Sequence, residues 1–498
     1  MMRASDDGYV LTLDIGTSSV RALLYDLAGN AVDDVHAQQS YALRMEEPGE
    51  VAVEPAMLMQ ATCLVIDEAL AAAGERAARI VAVATDTFWH SLIALDEHDQ
   101  PLTTVITWAD TRPSAAAQEL EHRLAGEAIH RRTGARLHAS YWPAKLLWLS
   151  QHDPQAYERA ASFVSFGEYF HRQLFGRAVC SLCMASGTGL LLTREQKWDM
   201  EQLHALGLSP ERLPPLGDLD ESLRGLVPAY ASRWPALRDV PWFPALGDGA
   251  TANVGSGCVA SGRVALTVGT SSAVRVCVAP DAIEPPDGLW LYLLDARRAI
   301  FGGALSEGGN LVAWLEHTLR LEDLDTAQAA ASSLPPDGHG LTVLPYLSGE
   351  RSTGWHGSAR ATIAGLAVHT TPEEILRAGI ESLAYRIAVV FRVMEKALGT
   401  SELSVIASGG TLENSPLLRQ IIADAVGLPV SLLLDREASA RGGALLALEA
   451  LGVIDNVARI QPQIDSVTQP DSARGAIYQR AIDRQNRLYQ LLLDSPGL

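Results

Sequence analysis

Two short peptides, half a chain apart, share a turn but not an acid. Leu13-Asp14-Ile15-Gly16-Thr17-Ser18-Ser19 and Thr267-Val268-Gly269-Thr270-Ser271-Ser272 both carry Gly-Thr-Ser-Ser between two apolar runs. Small residues in that setting read as a tight turn joining two strands, with amides and hydroxyls free to donate to an anion. Two such turns facing each other could grip a polyphosphate from both sides. Asp14, present only in the first copy, stands where a metal-bound phosphate needs a carboxylate. A single copy would pass for an ordinary hairpin. Two copies in matching strand contexts point to an internal duplication.

Other residues could complete a transfer site. Gly247-Asp248-Gly249-Ala250 reads as a carboxylate at a helix N-terminus, where the dipole keeps it ionised and able to take a proton; a plain helix cap is the commoner use of Asp-Gly. Trp108-Ala109-Asp110-Thr111-Arg112 offers an aromatic face, a carboxylate and a guanidinium for a polyol, or else a capping Asp110 and a solvated Arg112. Trp89-His90 closes a strand, and Lys145 lies among Tyr141, Trp142 and Trp148; packing roles compete with pocket roles for all of these. Ser408-Gly409-Gly410-Thr411, with Asn414 beyond, would let a flat ring approach the backbone, although a glycine pair is often only a turn. No P-loop and no strand-linked G-x-G-x-x-G is present, which counts against P-loop, protein-kinase and Rossmann folds.

The elements that must hold these groups follow from the pattern. Strands are expected over 9–13, 20–26, 31–41, 80–85, 91–95 and 103–108. Helices are expected from Pro55 to Gly74 and, Ala-rich, over about 114–132 with Gly134 as its stop. Residues 140–240 are mixed and loop-rich, like an elaboration on a smaller core. The second half repeats the opening with strands 262–268, 273–279, 289–294 and 298–302. A capping box at Thr371 to Glu374 then starts a long helix ending at Gly399. Strand 403–407, a helix from Ser415 to Gly427, strand 430–434 and helix 437–451 complete a β-α-β-α alternation.

At 498 residues the chain exceeds one core, so two domains are expected, 1–250 and 251–498. It is 48% hydrophobic and 20% charged, no stretch approaches a membrane span, and Met1 to Val10 lacks a secretory h-region. A formal charge of −20 argues against nucleic acid or an anionic membrane as partner. Five scattered cysteines fit a reducing cytoplasm, and Cys180-Ser-Leu-Cys183 lacks the second pair that a zinc site needs.

Taken together, these motifs resemble the FGGY family of carbohydrate kinases, in the actin-like, hexokinase-like ATPase superfamily. The residues carrying the likeness are Asp14 to Ser18, Trp108 to Arg112, Gly247 to Ala250, Gly269 to Ser271, Ser408 to Gly410, and Ala361 to Leu366 followed by Glu374, Ile375 and Ala378. Gly379 and Trp142 depart from the family signatures at positions outside the catalytic set. The segments 86–92, 138–146, 307–310 and 347–352 are most similar to gluconokinases and next to xylulokinases, both of which usually carry Met-His where Trp89-His90 stands here.

The resemblance implies an α/β fold of two actin-like (ribonuclease H-like) domains, each a mixed five-stranded sheet with helices on both faces, and a cleft between them. It implies ATP and Mg²⁺ as cofactors. Asp14 would hold the metal, and Gly16, Thr17, Ser18, Gly269 and Thr270 would donate to phosphates. Gly409, Gly410 and Asn414 would flank adenine. Trp89, His90, Trp108, Asp110, Arg112 and Lys145 would line the sugar pocket, and Asp248 would be the base. The substrate would be D-gluconate, with D-xylulose or another polyol as the alternative. A non-metabolic actin-like ATPase and a catalytically weak sugar sensor are the rivals from other classes. The oligomeric state, a homodimer among the options, is not set by the sequence.

Overall fold

The computed structural model describes residues 8–321 and 323–494. The first half is built on β1 (Tyr9–Ile15), β2 (Ser19–Asp26) and β3 (Ala31–Ser40), followed by α1 (Pro55–Ala73) and β4 (Ile80–Thr87). A short β5 (Leu246–Gly247) returns after the elaboration to complete the sheet. The sheet order is β5-β4-β1-β2-β3, with β4 and β5 parallel to β1 and the hairpin strands antiparallel. β1 and β4 are almost wholly buried, so both read as near-continuous apolar runs in which any acid stands out.

The second half repeats this plan. After α2 (Asp248–Gly255) come β6 (Arg263–Val268), β7 (Ser272–Val278), β8 (Trp290–Leu293) and β9 (Ala299–Leu305). Then follow α3 (Gly309–Leu319), α4 (Pro372–Leu398), β10 (Ser404–Ser408), α5 (Pro416–Val426), β11 (Val430–Leu433), α6 (Ala438–Ala450) and β12 (Ile464–Thr468). Strands β9-β7-β6-β10-β11 match β3-β2-β1-β4-β5 in order and direction. The second sheet, however, has seven strands and not the expected five, because β8 and β12 extend its two edges. Both added strands pair antiparallel; β8 turns back into β9 by a short return, whereas β12 reaches β11 only after α6.

Local signals account for most boundaries. Thr371 and Glu374 close the capping box of α4, and Gly399 ends it in the left-handed region. The Ala-rich stretch 114–132 forms two helices, Ser114–Arg123 and Gly126–Thr133. Leu124 is extended there and Gly126 is a poor helix former, so a single helix is not sustained. Among the described residues, Pro55–Arg79 is long and apolar enough to cross a membrane, which corrects the expectation that no stretch comes near. Its apolar side, Leu58, Val65, Ile66 and Ala69, is buried, and α1 packs on β2 and β3.

The two halves meet through α2 and α6. A side-chain carbon added at Gly442 would collide with the Thr251 carbonyl, and one at Gly255 with that of Ala438. Arg441 reinforces the crossing by donating to the carbonyls of Gly255 at 2.6 Å and Gly29 at 3.3 Å. Although α6 lies between two strands of the second sheet in sequence, β11 and β12, it also packs on β1 and β4 of the first. One element is thereby held against both halves, directly beneath the site.

Candidate active site

The first Gly-Thr-Ser-Ser turn caps the β1–β2 hairpin, closed by a hydrogen bond from Gly16 N to Ser19 O at 3.0 Å. Trp108 Nε1 donates to Thr17 Oγ1 at 3.0 Å, which ties this turn to the Trp-x-Asp-x-Arg segment. The second turn is closed one residue more tightly, Gly269 N donating to Ser271 O at 3.0 Å. Its Gly269 carbonyl accepts from Gly309 N at 2.7 Å and from Thr411 Oγ1 at 3.0 Å. Gly409, at φ 103°, lets the backbone pass so close to Val268 that a side chain would not fit. Gly269, Thr270, Gly409 and Gly410 therefore share one corner. Asn414 ends the short helix Gly410–Asn414 in an exposed position.

Three acids converge below the first turn. Asp14 pairs in register with Asp86 on the parallel strand β4, and Leu246, two residues before Asp248, is Asp86's neighbour on the other side. Asp14 Oδ2 receives Arg21 Nη1 at 3.4 Å, and the same nitrogen meets Glu437 Oε2 at 3.0 Å, just before α6. Burial raises the Asp14 carboxyl against the pull of Arg21. Asp86 is pushed well above the usual carboxylate range by burial and then by the charges of Asp14 and Asp248, and no hydrogen-bond donor meets either of its oxygens. Burial, and then Asp14, pushes Asp248 up to about 6. Asp248 is the first residue of α2, and Gly249 N donates to its Oδ1 at 2.7 Å. Asp86 was missing from the sequence-based site. The signal was available, since an acid in an otherwise apolar strand is seldom there for packing.

The predicted sugar-pocket residues divide into those that wall the pocket and those tied up behind it. Trp89 is 6% exposed, with its indole wedged between Gly187, Gly247 and Gly249 and Nε1 donating to Cys183 O at 3.1 Å. It backs the turn that carries Asp248. His90 sits at φ 70°, a strained setting for a side-chain-bearing residue, and its Nδ1 bonds the Gly187 carbonyl. The proton must be on Nδ1, which leaves Nε2 as an acceptor; burial and Arg351 hold the ring neutral. Lys145 is buried, its Nζ donating to His90 O at 2.5 Å and Ile106 O at 3.3 Å, and burial pushes it down to about 7. Arg112 is engaged by Asp110 at 2.7 Å and Glu50 at 3.1 Å and lies over Trp148. Asp110 also accepts from Val51 N at 3.2 Å. Tyr141 and Tyr292 pack edge-on to His90, Trp355 packs on Tyr141 and His138, and Arg351 lies over Trp108 at 5.2 Å. Of this second set, Arg351, Trp355 and Tyr292 come from the second half and lie against first-half residues; Trp108 and His90, met by Arg351 and Tyr292, are among those expected to line the sugar pocket.

The N-terminal domain of the FGGY family of carbohydrate kinases matches residues 9–255, and the family's C-terminal domain matches residues 264–451. The chain belongs to the FGGY family of carbohydrate kinases. The gluconokinase of Bacillus subtilis is 27% identical over 469 residues, covering 92% of this chain and 90% of that one. Two solved structures from Lactobacillus acidophilus superpose closely. A gluconate kinase gives a TM-score of 0.90 at 27% identity, covering 97% of this chain and 98% of its own. A ligand-bound xylulose kinase gives 0.91 at 27% identity, covering 98% and 99%.

The residues of this FGGY kinase fit a divalent cation and a nucleotide. Asp14, Asp86 and Asp248 supply only hard carboxylate oxygens, and those of Asp86 lack any donor, as a place for Mg²⁺ requires. The glycine-lined corner at Gly269 and Gly409 offers backbone approach on the opposite wall.

Proposed function

We propose that the protein transfers the γ-phosphoryl group of ATP to the terminal 6-hydroxyl of D-gluconate, giving 6-phosphogluconate. One observation carries the choice of a sugar acid. In a protein of net charge −20, the cations Arg351, Lys145 and Arg136 gather near His138. Burial, and then Arg351, Lys145 and Arg136, push His138 down to about 3, and His90 is held neutral by burial and the same neighbourhood. Such surroundings favour an anionic substrate over a neutral one. The similarity to gluconate kinases supports the same choice.

In this reading the first half, 1–250, binds the sugar and the second, 251–498, the nucleotide. Asp248 accepts the proton of the attacking hydroxyl. At a pKa of about 6 it is ionised at neutral pH yet far too weak to deprotonate an alcohol outright, so it orients the hydroxyl and takes the proton late. Thr17, Ser18, Gly269 and Thr270 donate to the phosphates from opposite walls, which suits a reaction that needs in-line placement more than covalent help. Asp14, with Asp86 beside it, would hold Mg²⁺. When bound, Mg²⁺ supplies charge neutralisation at the phosphates. Gly409, Gly410 and Asn414 flank the adenine, and Trp108 gives the sugar a flat wall. A cytoplasmic location goes with this reading, as do five free, buried cysteines.

The test is a coupled ADP-release screen over gluconate, xylulose, ribulose and glycerol. Gluconate is expected to lead. Turnover of xylulose with none of gluconate would overturn the substrate and keep the kinase.

A further inference from the structure

Every cation expected to meet the substrate's carboxylate is engaged elsewhere. Arg112 is locked to Asp110 and Glu50, and Lys145 to two backbone carbonyls. His90 is neutral. Arg275 donates to Asn253 Oδ1 at 3.1 Å and Thr267 Oγ1 at 2.9 Å beside the Asp248 turn. Arg136 is paired with Asp287. One guanidinium of the cleft remains. Among the described residues Arg351 has no ion pair, and its Nε is buried with no hydrogen-bond partner. Leaving such a donor unmet costs free energy, so a group that arrives to meet it is favoured.

The acid next to it does not neutralise it. Glu350 turns the other way, into the second half, where Tyr489 at 2.6 Å, Tyr346 at 3.2 Å and Arg386 at 3.4 Å hold its carboxylate. On the far side, Ser352 is fixed to β9, Ser352 N donating to Ala304 O at 2.9 Å and Ala304 N to Ser352 Oγ at 3.1 Å. Arg351 is thus presented from a pinned segment, half-buried, with its guanidinium 5.2 Å above Trp108 of the first half. Its charge is felt by His90, His138, Tyr141 and Asp248, the groups around the proposed sugar pocket.

We propose that Arg351 is the anion subsite of the pocket: its planar fork receives the substrate's carboxylate across the cleft while Asp248 receives the hydroxyl at the other end of the carbon chain. This rests on the sugar-acid reading above. It adds that acid recognition comes from the nucleotide-binding half, so that binding of the substrate's carboxylate draws the two halves together. A forked guanidinium suits a carboxylate in two parallel hydrogen bonds, and the indole beneath it fixes its plane.

The experiment compares D-gluconate with D-glucitol, the same chain with an alcohol in place of the carboxylate. Binding of each is measured by calorimetry to wild-type protein and to Arg351→Gln and Arg351→Lys. The wild type should prefer gluconate, and Arg351→Gln should lose gluconate affinity by roughly 10–100-fold. Its glucitol affinity should stay within about threefold, and Arg351→Lys, which keeps the charge without the fork, should fall between. Equal losses for both ligands would make Arg351 a wall and overturn the subsite, as would no loss at all or a wild type without preference. The ADP-release screen keeps the two proposals apart. Gluconate bound through Arg351 but not phosphorylated would sink the gluconokinase reading alone. Gluconate phosphorylated equally by wild type and Arg351→Gln would sink the subsite alone.

Discussion

Asp14 and Asp86 stand side by side, in register on adjacent parallel strands, and no donor meets either oxygen of Asp86. Asp86 is 1% exposed, so ionising it strips its water and sets it against the charges of Asp14 and Asp248. The nearest relief, Arg21, divides one nitrogen between Asp14 and Glu437. The metal-free site therefore carries more negative charge than its own cations offset.

Asp86→Asn should stabilise the metal-free protein at neutral pH. An acid whose folded pKa is raised penalises the folded state as pH rises from the unfolded value, 3.8, toward the folded one. The gain from Asn should therefore be present at pH 7 and fade as pH falls toward 4. Melting curves in chelator should show a rise of about 2–4 °C per kcal/mol relieved. A melting temperature lowered at pH 7 would mean that Asp86 is a satisfied structural acid.

The duplication was legible because Gly-Thr-Ser-Ser sits between apolar runs in both halves, and the strands formed close to where alternation and turn residues set them. The edge strand β12 was less so, whereas β8 formed where a strand over 289–294 was expected. Ile464–Thr468 is exposed and polar, and only its pairing with β11 makes it a strand. Asp14, Asp248 and the turn glycines could be singled out because their local peptides are distinctive. Asp86 was passed over within an apolar strand, and Arg351 within a loop whose partner across the cleft lies far away in sequence. Which cations were free could not be read at all, since that depends on Glu50 reaching Arg112 and on carbonyls reaching Lys145.

Asp248→Asn keeps the shape of the base and removes its proton affinity, so phosphoryl transfer should fall by roughly two or more orders of magnitude with nucleotide affinity little changed. In the wild type, kcat/KM should fall about tenfold per pH unit below an apparent pKa near 6, because the free enzyme needs Asp248 ionised. A flat profile between pH 5 and 7, or near-normal turnover by the Asn variant, would remove Asp248 from this role.

Trp89 and Gly249 should be coupled. A methyl group added at Gly249 would stand 2.6 Å from Trp89 Cζ3 and 3.0 Å from Arg275 Nη1, so Gly249→Ala must displace the turn that aims Asp248. Turnover should drop far more than the melting temperature does. Trp89→Leu clears the space, and the double variant should recover part of the activity lost by Gly249→Ala alone. Strictly additive losses would mean that the indole does not set the position of the base.

The crossing of α2 and α6 should tolerate no side chain on one glycine and accept one on the next. Gly442→Ala would drive a carbon into the Thr251 carbonyl, backbone against backbone, where nothing flexible can yield. Gly443→Ala places its carbon 3.6 Å from Ala84 Cβ, an ordinary packing distance, one residue along the same helix. Alanine also favours the helix by about 0.8–1 kcal/mol over glycine, so Gly443→Ala should be neutral or mildly stabilising. Gly442→Ala should cost several kcal/mol, about the range of severe core defects. Because α6 bears on both sheets, the damage should extend to their relative placement. Small-angle scattering with sugar acid and nucleotide present should show compaction in wild type and Gly443→Ala, and less in Gly442→Ala. Equal melting temperatures and equal compaction in the two variants would show that the close approach at Gly442 holds nothing in place.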